Sequence, residues 1–265
     1  MSLNDRPWTA VSAIAVSEES AEIAREQAIR LGERIWQRRE EFNLKMETAE
    51  VEEGLQLALE CPERPVFVTD SGDNTTAGAA GDLTLVLQAA IANQGSEDII
   101  VAGITAPKTV RKLVDAGVGR SVEIELGSEH RSRPKTSVKV TVTVDACGEE
   151  LVLPGFQPYR SKEGAWAKVR IGNVVATFHD GAIGVTTPSH FEAMDIDPVG
   201  HKAYVVKLGY LHPQLEDVAA RHILLLSDGT SQLDMSRLTW EALPRPTYPL
   251  DKAFEWNAGS NIYGD

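Results

Sequence analysis

The chain has 265 residues, 26 Lys+Arg against 39 Asp+Glu for a net charge of −13, and is 42% hydrophobic and 25% charged. This composition excludes a disordered protein, which lacks the apolar matter to offset chain entropy, and at about 100–200 residues per domain it suits one large or two modest domains. The acidic balance repels phosphate backbones, so the short basic run Arg131, Arg133 and Lys135 reads as a solvated loop and no nucleic-acid partner is expected.

Val11–Val16 reads as a short buried strand, with Ser17 as the N-cap of a following helix and Glu18 and Glu19 near its positive end. Ala21, Ala24, Ala28, Leu31 and Ile35 then recur at spacings of three and four, which predicts a helix with one apolar stripe. A second helix is predicted over 48–59. The apolar run Pro65–Thr69 predicts a strand that ends at Asp70, where a glycine-rich loop begins. Leu83, Val86, Leu87, Ala90 and Ile91 predict a helix over 82–93, with Asp82 at its start. Ile99–Ile104 reads as a strand, and Pro107 opens a helix that Gly117 closes. Strands alternating with helices imply parallel βαβ units in the first half.

Past Gly119 the period becomes two. Val138, Val140, Val142 and Val144 alternate with polar residues, and shorter strands are expected at 167–171, 174–178 and 183–186, giving an antiparallel, β-rich middle section. Strands at 203–207 and 223–226 around a helical segment at 215–220 return the chain to α/β character. The fold class is therefore α/β with mixed sheets. In the tail, Pro244, Pro246 and Pro249 predict an extended strap. No stretch approaches the roughly 18 apolar residues of a membrane helix and no signal peptide is evident, so a soluble cytoplasmic protein without a membrane partner is expected.

Chemistry concentrates in Asp70–Asp82, between a strand's C-terminal end and a helix start, where α/β folds bind ligands. The loop matches neither G-x-x-x-x-G-K-[ST] nor G-x-G-x-x-G. Asp70, Asp73 and Asp82 suit a cation, a substrate ammonium, or hydrogen bonds that stiffen a tight loop. The six histidines form no H-E-x-x-H, and His179–Asp180 is a thin metal pair against the three or four ligands that zinc requires. No G-x-S-x-G occurs. Cys61 at a helix end and Cys147 in a Gly-flanked turn read as structural.

Val68-Thr69-Asp70-Ser71-Gly72-Asp73-Asn74, with Gly78 and Gly81-Asp82, resembles the aspartate- and glycine-rich loop of the MlrC (microcystinase C) family. Trp36–Phe42, Asp195-Ile196-Asp197-Pro198, Tyr204–Lys207 and Arg245–Asp251 are similar to further segments of that family, so the resemblance covers nearly the whole chain. It departs from the family at Thr75, Thr76, Ala77 and Ala80, where Pro and Gly are common, at Asp195 in place of Gly, and at Leu208 in place of Ser.

The resemblance implies a C-terminal domain at 46–265, preceded at 1–45 by a strand and helix like the end of the family's N-terminal domain. Family members are metallopeptidase-like zinc hydrolases whose His-Gly-Ala-Met and Asp-x-His motifs lie in that N-terminal domain, and this chain contains neither motif. It implies a zinc-bearing N-terminal partner, zinc in the full-length family but not on this chain alone, and a small peptide or amide substrate. It also implies that Asp70, Ser71, Asp73, Asn74, Gly78, Gly81, Asp82 and Lys207 contribute to the substrate cleft. The competing expectation is a non-catalytic module that holds a small charged ligand on the same loop. An apolar face near the start, left without its sheet, would favour homo-oligomers.

Overall fold

The computed structural model describes residues 5–93, 95–127, 137–153 and 162–262; the basic run Arg131, Arg133 and Lys135 lies outside the described residues. Residues 46–234 form one compact unit, and residues 5–45 with 235–262 form another.

In the smaller unit the cap of helix α1 (Ala21–Gln37) is Ser20, not the expected Ser17, because the Ser20 hydroxyl accepts the Ile23 N–H at 3.2 Å. The Ser17 hydroxyl instead accepts the N–H groups of Glu19 and Ser20, bending the chain ahead of the helix. The expected strand at Val11–Val16 does not form, and Val11, Ile14 and Val16 are exposed. An apolar run becomes a strand only beside another strand that satisfies its backbone. Trp36 packs against Phe254 and Trp256, with ring centroids 4.9 and 5.6 Å away, and the Arg39 guanidinium lies 4.2 Å over its ring. The tail is turns and irregular chain, not a continuous extended strap. Its entry is held by the Asp5 carboxylate, which accepts the N–H groups of Glu241, Ala242 and Leu243.

In the larger unit, β1 (Thr48–Ala49) precedes α2 (Val51–Glu60), and β2 (Val66–Asp70) leads into the glycine-rich loop. Next come α3 (Leu85–Ala92), β3 (Ile99–Thr105), α4 (Pro107–Ala116) and β4 (Ser121–Leu126). The middle section holds β5 (Val138–Gly148), β6 (Leu151–Val152), β7 (Lys162–Glu163), β8 (Trp166–Ile171) and β9 (Val174–His179). Finally α5 (Pro188–Ala193), β10 (Ala203–Val206), α6 (Pro213–Glu216) and β11 (Arg221–Leu225) return the chain to the sheet. The sheet order is β1-β11-β2-β10-β3-β9-β8-β5-β4. Pairing is parallel from β1 to β9 and antiparallel from β9 to β4, so this is a mixed α/β fold.

Both faces of the parallel part are covered, which is why β2 is buried at all five positions and reads as a continuous apolar run. On one face Val66, Val68, Val101 and Val205 meet Leu55 of α2, Leu87 of α3 and Leu113 of α4. On the other, Phe67 stacks on Tyr204 at 4.9 Å, and Phe191 of α5 meets the Tyr204 ring edge-on at 5.3 Å. Each such fully buried Leu or Phe contributes about 1.5–3 kcal/mol by its removal from water.

Local pattern misleads at several element ends. The segment expected as helix from residue 48 begins as a strand, since Thr48 and Ala49 pair with Leu224 and Leu225 of β11. Helix α3 starts at Leu85 instead of Asp82 because the loop continues through Thr84, and α6 ends at Glu216 instead of Ala220. Residues 183–186 form no strand. Cys147 lies within β5, paired with Ala167, and not in a turn.

Candidate functional site

Residues 70–82 stand at the C-terminal edge of β2, flanked by β10 and β11. Lys207, just beyond β10, points its ammonium back into this loop. It lies 2.7 Å from Asp73 Oδ2 and 3.1 Å from Asp70 Oδ2, and donates to the Leu83 carbonyl at 2.9 Å. Its three donors are thereby used. Lys207 is 4% exposed, Asp70 3% and Asp73 0%, so the cluster is sealed from water.

The carboxylates are equally occupied. Asp73 accepts the Gly81 N–H on Oδ1 at 2.9 Å and the Leu83 N–H on Oδ2 at 2.8 Å, folding the loop over its own side chain. Asp70 Oδ1 accepts the Ser227 hydroxyl, which itself accepts the Gly72 N–H at 2.9 Å. Burial disfavours the Lys207 ammonium, but Asp70 and Asp73 outweigh it and hold the group above the ordinary lysine range. Burial pushes the Asp73 carboxyl up against the pull of Lys207.

A second loop, 227–232, interlocks with the first. The Ser231 hydroxyl accepts the Asn74 N–H and donates to the Ser71 carbonyl, both at 2.8 Å, while Ser71 Oγ donates to the Leu225 carbonyl. A Cβ on Gly72 would lie 2.3 Å from the Ser227 carbonyl oxygen, and one on Gly229 would lie 2.0 Å from that of Gly72, so both positions require glycine for the close approach of two backbones. Asn74 Oδ1 accepts from both the N–H and the hydroxyl of Thr76, capping a short turn that ends at left-handed Gly78. Ser227 and Ser231 have no motif of their own; the pairing of Leu225 with Asp70 brings them here.

The expected residues thus divide. Asp70, Asp73 and Lys207 form a saturated ionic lock, Ser71, Asn74 and Gly81 brace it, and Gly78 sits exposed at the turn. Asp82 faces elsewhere, onto a cavity of about 390 Å³ beside the start of α4, which is also lined by Thr105, Thr109 and Glu125.

A zinc ion does not fit the lock, because the Lys207 ammonium already bridges the two carboxylates. Nor does it fit His179–Asp180. The His179 ring is 2% exposed with Nε2 3.1 Å from Thr177 Oγ1, while Asp180 accepts the Ala165 N–H. Burial, followed by the neighbouring His190, pushes His179 down to about 3, and burial pushes His190 down to about 4, so both rings are neutral. Among the described residues no three His, Cys, Asp or Glu side chains are grouped to hold a metal. Among them, too, no helix is long and apolar enough to cross a membrane.

The sheet and its saturated switch-point loop define an α/β domain whose conspicuous acidic loop is a structural lock. The model of the MlrC C-terminus family matches residues 68–242, and the chain belongs to this family. Among solved structures it is similar to a "Putative metallopeptidase" from Mesorhizobium sp. BNC1, with a TM-score of 0.73 and 20% identity over 88% of this chain. The chain spans 47% of the length of that protein. No curated protein matches the sequence.

Proposed function

We propose that this chain acts as the C-terminal domain of an MlrC-like zinc-dependent peptide or amide hydrolase, forming one wall of a substrate cleft beside a zinc-bearing N-terminal domain. The observation that carries this reading is the family match over 68–242, joined to a fold likeness that spans 47% of a longer chain named as a metallopeptidase. In this reading Lys207, Asp70 and Asp73 do not touch substrate. They are positioning residues that set the path of the loop from β2 to α3.

The test combines the purified chain with a zinc-loaded N-terminal domain from the same family and follows hydrolysis of short peptides. Hydrolysis by the mixture, lost on chelation and absent from either half, is the expected result. A stable complex without hydrolysis, or zinc-independent hydrolysis by this chain alone, would overturn the proposal.

A further inference from the structure

The cavity beside α4 differs from the lock in that Thr105 and Thr109 bring to it polar groups without partners among the described residues. Pro107 supplies no N–H at the first helical position, and the first helical bond, from Val110 to Ala106, leaves the Thr109 N–H without an acceptor among the described residues. Its N-cap is Ala106, which has no side chain to fill that role. Thr109 is 5% exposed, lines the cavity, and makes no side-chain hydrogen bond to any described residue. Thr105 Oγ1, on the same wall, is enclosed and likewise has no partner among the described residues.

A helix start with an unsatisfied N–H and hydroxyl favours an anion. The other wall carries Asp82 and Glu125, the latter 3.6 Å from Lys139, and Lys108 also lines the cavity, so its charge is mixed: the carboxylates attract a cation and disfavour a polyanion, while Ile104 and Leu126 add apolar surface. One small molecule satisfies all three demands. We propose that this cavity binds the zwitterion of an apolar amino acid, free or as a short peptide, with its carboxylate at the Thr109 N–H and hydroxyl and its ammonium toward Asp82 and Glu125. About 390 Å³ accommodates a ligand of that size. The inference stands on the groups that line this cavity and does not rest on the hydrolase reading.

Isothermal titration of the full chain with L-leucine tests the proposal, with leucinamide lacking the carboxylate, 4-methylpentanoate lacking the ammonium, and inorganic phosphate as the simple anion. Leucine should bind at millimolar concentration or below, and each of the other three more weakly. Thr109→Val keeps the side-chain shape and should weaken leucine about tenfold, the loss expected for one hydrogen bond to a charged group, whereas Thr109→Ser should bind as the parent does. Thermal unfolding of each variant confirms that it is folded. Leucine tighter than leucyl-leucine assigns a free amino acid and the reverse assigns a peptide; both support the proposal. No leucine binding, phosphate as tight as leucine, or undiminished binding by folded Thr109→Val would overturn it.

Discussion

Two regions at the C-terminal edge of the same sheet treat their polar groups in opposite ways. Around Lys207 the ammonium donors are all used and both carboxylates are bonded, whereas at the start of α4 the Thr109 hydroxyl and N–H have no partner among the described residues. The acidic, glycine-rich loop is the more conspicuous in sequence, yet its charges neutralise one another. A residue type suited to a ligand is equally suited to an internal partner. What separates the two cases is whether the bonding capacity is already filled.

Acidification should disturb the frame behind both regions most. Unperturbed histidine titrates near 6.5, but His179 and His190 are pushed down to about 3 and about 4, chiefly by burial. Below about 6.5 the unfolded chain takes up protons that the folded chain refuses, so stability should fall with pH until the folded-state values are reached. The slope is about 1.4 kcal/mol per pH unit for each ring. Urea denaturation between pH 7 and pH 4.5 checks this, and a flat profile would contradict neutral burial of the two rings.

Within the lock, Lys207→Met leaves Asp70 and Asp73 facing each other in a sealed site. A loss of about 3–5 kcal/mol is expected, the range for breaking a buried ion pair by removing one partner. A stability near that of the parent would mean that the carboxylates were not held by the ammonium. Smaller effects come from backbone packing. Gly72→Ala drives a Cβ to 2.3 Å from the Ser227 carbonyl and should cost about 1–3 kcal/mol or more, while Gly78→Ala meets nothing within 4 Å and bears only left-handed strain of about 1–2 kcal/mol. Equal losses at the two glycines would argue against the interlocked loops.

At the α4 cavity, Thr109→Val removes a hydroxyl that bonds to no described residue, so its unfolding free energy should stay within about 0.5 kcal/mol of the parent. A large destabilisation would reveal a protein partner for Thr109 and dissolve the contrast with Lys207. Asp195→Gly provides a comparably small control. Asp195 adopts φ +54°, and its exposed carboxylate lies 3.3 Å from Nζ of the buried Lys168, which also donates to the Asp195 carbonyl, so relief of left-handed strain of about 1–2 kcal/mol should offset much of the loss of one partner of that ammonium.

Elements whose partners are close in sequence were legible before the structure. Helix α4 has its Pro107 and Gly117 punctuation, β5 has its alternating valines, and the Asp70 loop follows the apolar run Val66–Val68. Elements that depend on distant chain were not. Val11–Val16 has the composition of a strand but no strand beside it, and Thr48–Ala49 has helical neighbours but pairs with β11.

The same division holds for the site. Residue order alone placed Asp70, Asp73 and Asp82 in one loop at a strand end, because apolar periodicity and glycine punctuation are local properties. Only the tertiary structure turned Lys207 onto Asp70 and Asp73, carried Ser227 and Ser231 under the loop, and left Asp82 facing a different cavity with Thr109. Charge satisfaction is a property of groups that meet in space, and parallel pairing of β2 with β10 and β11 joins residues more than 130 positions apart.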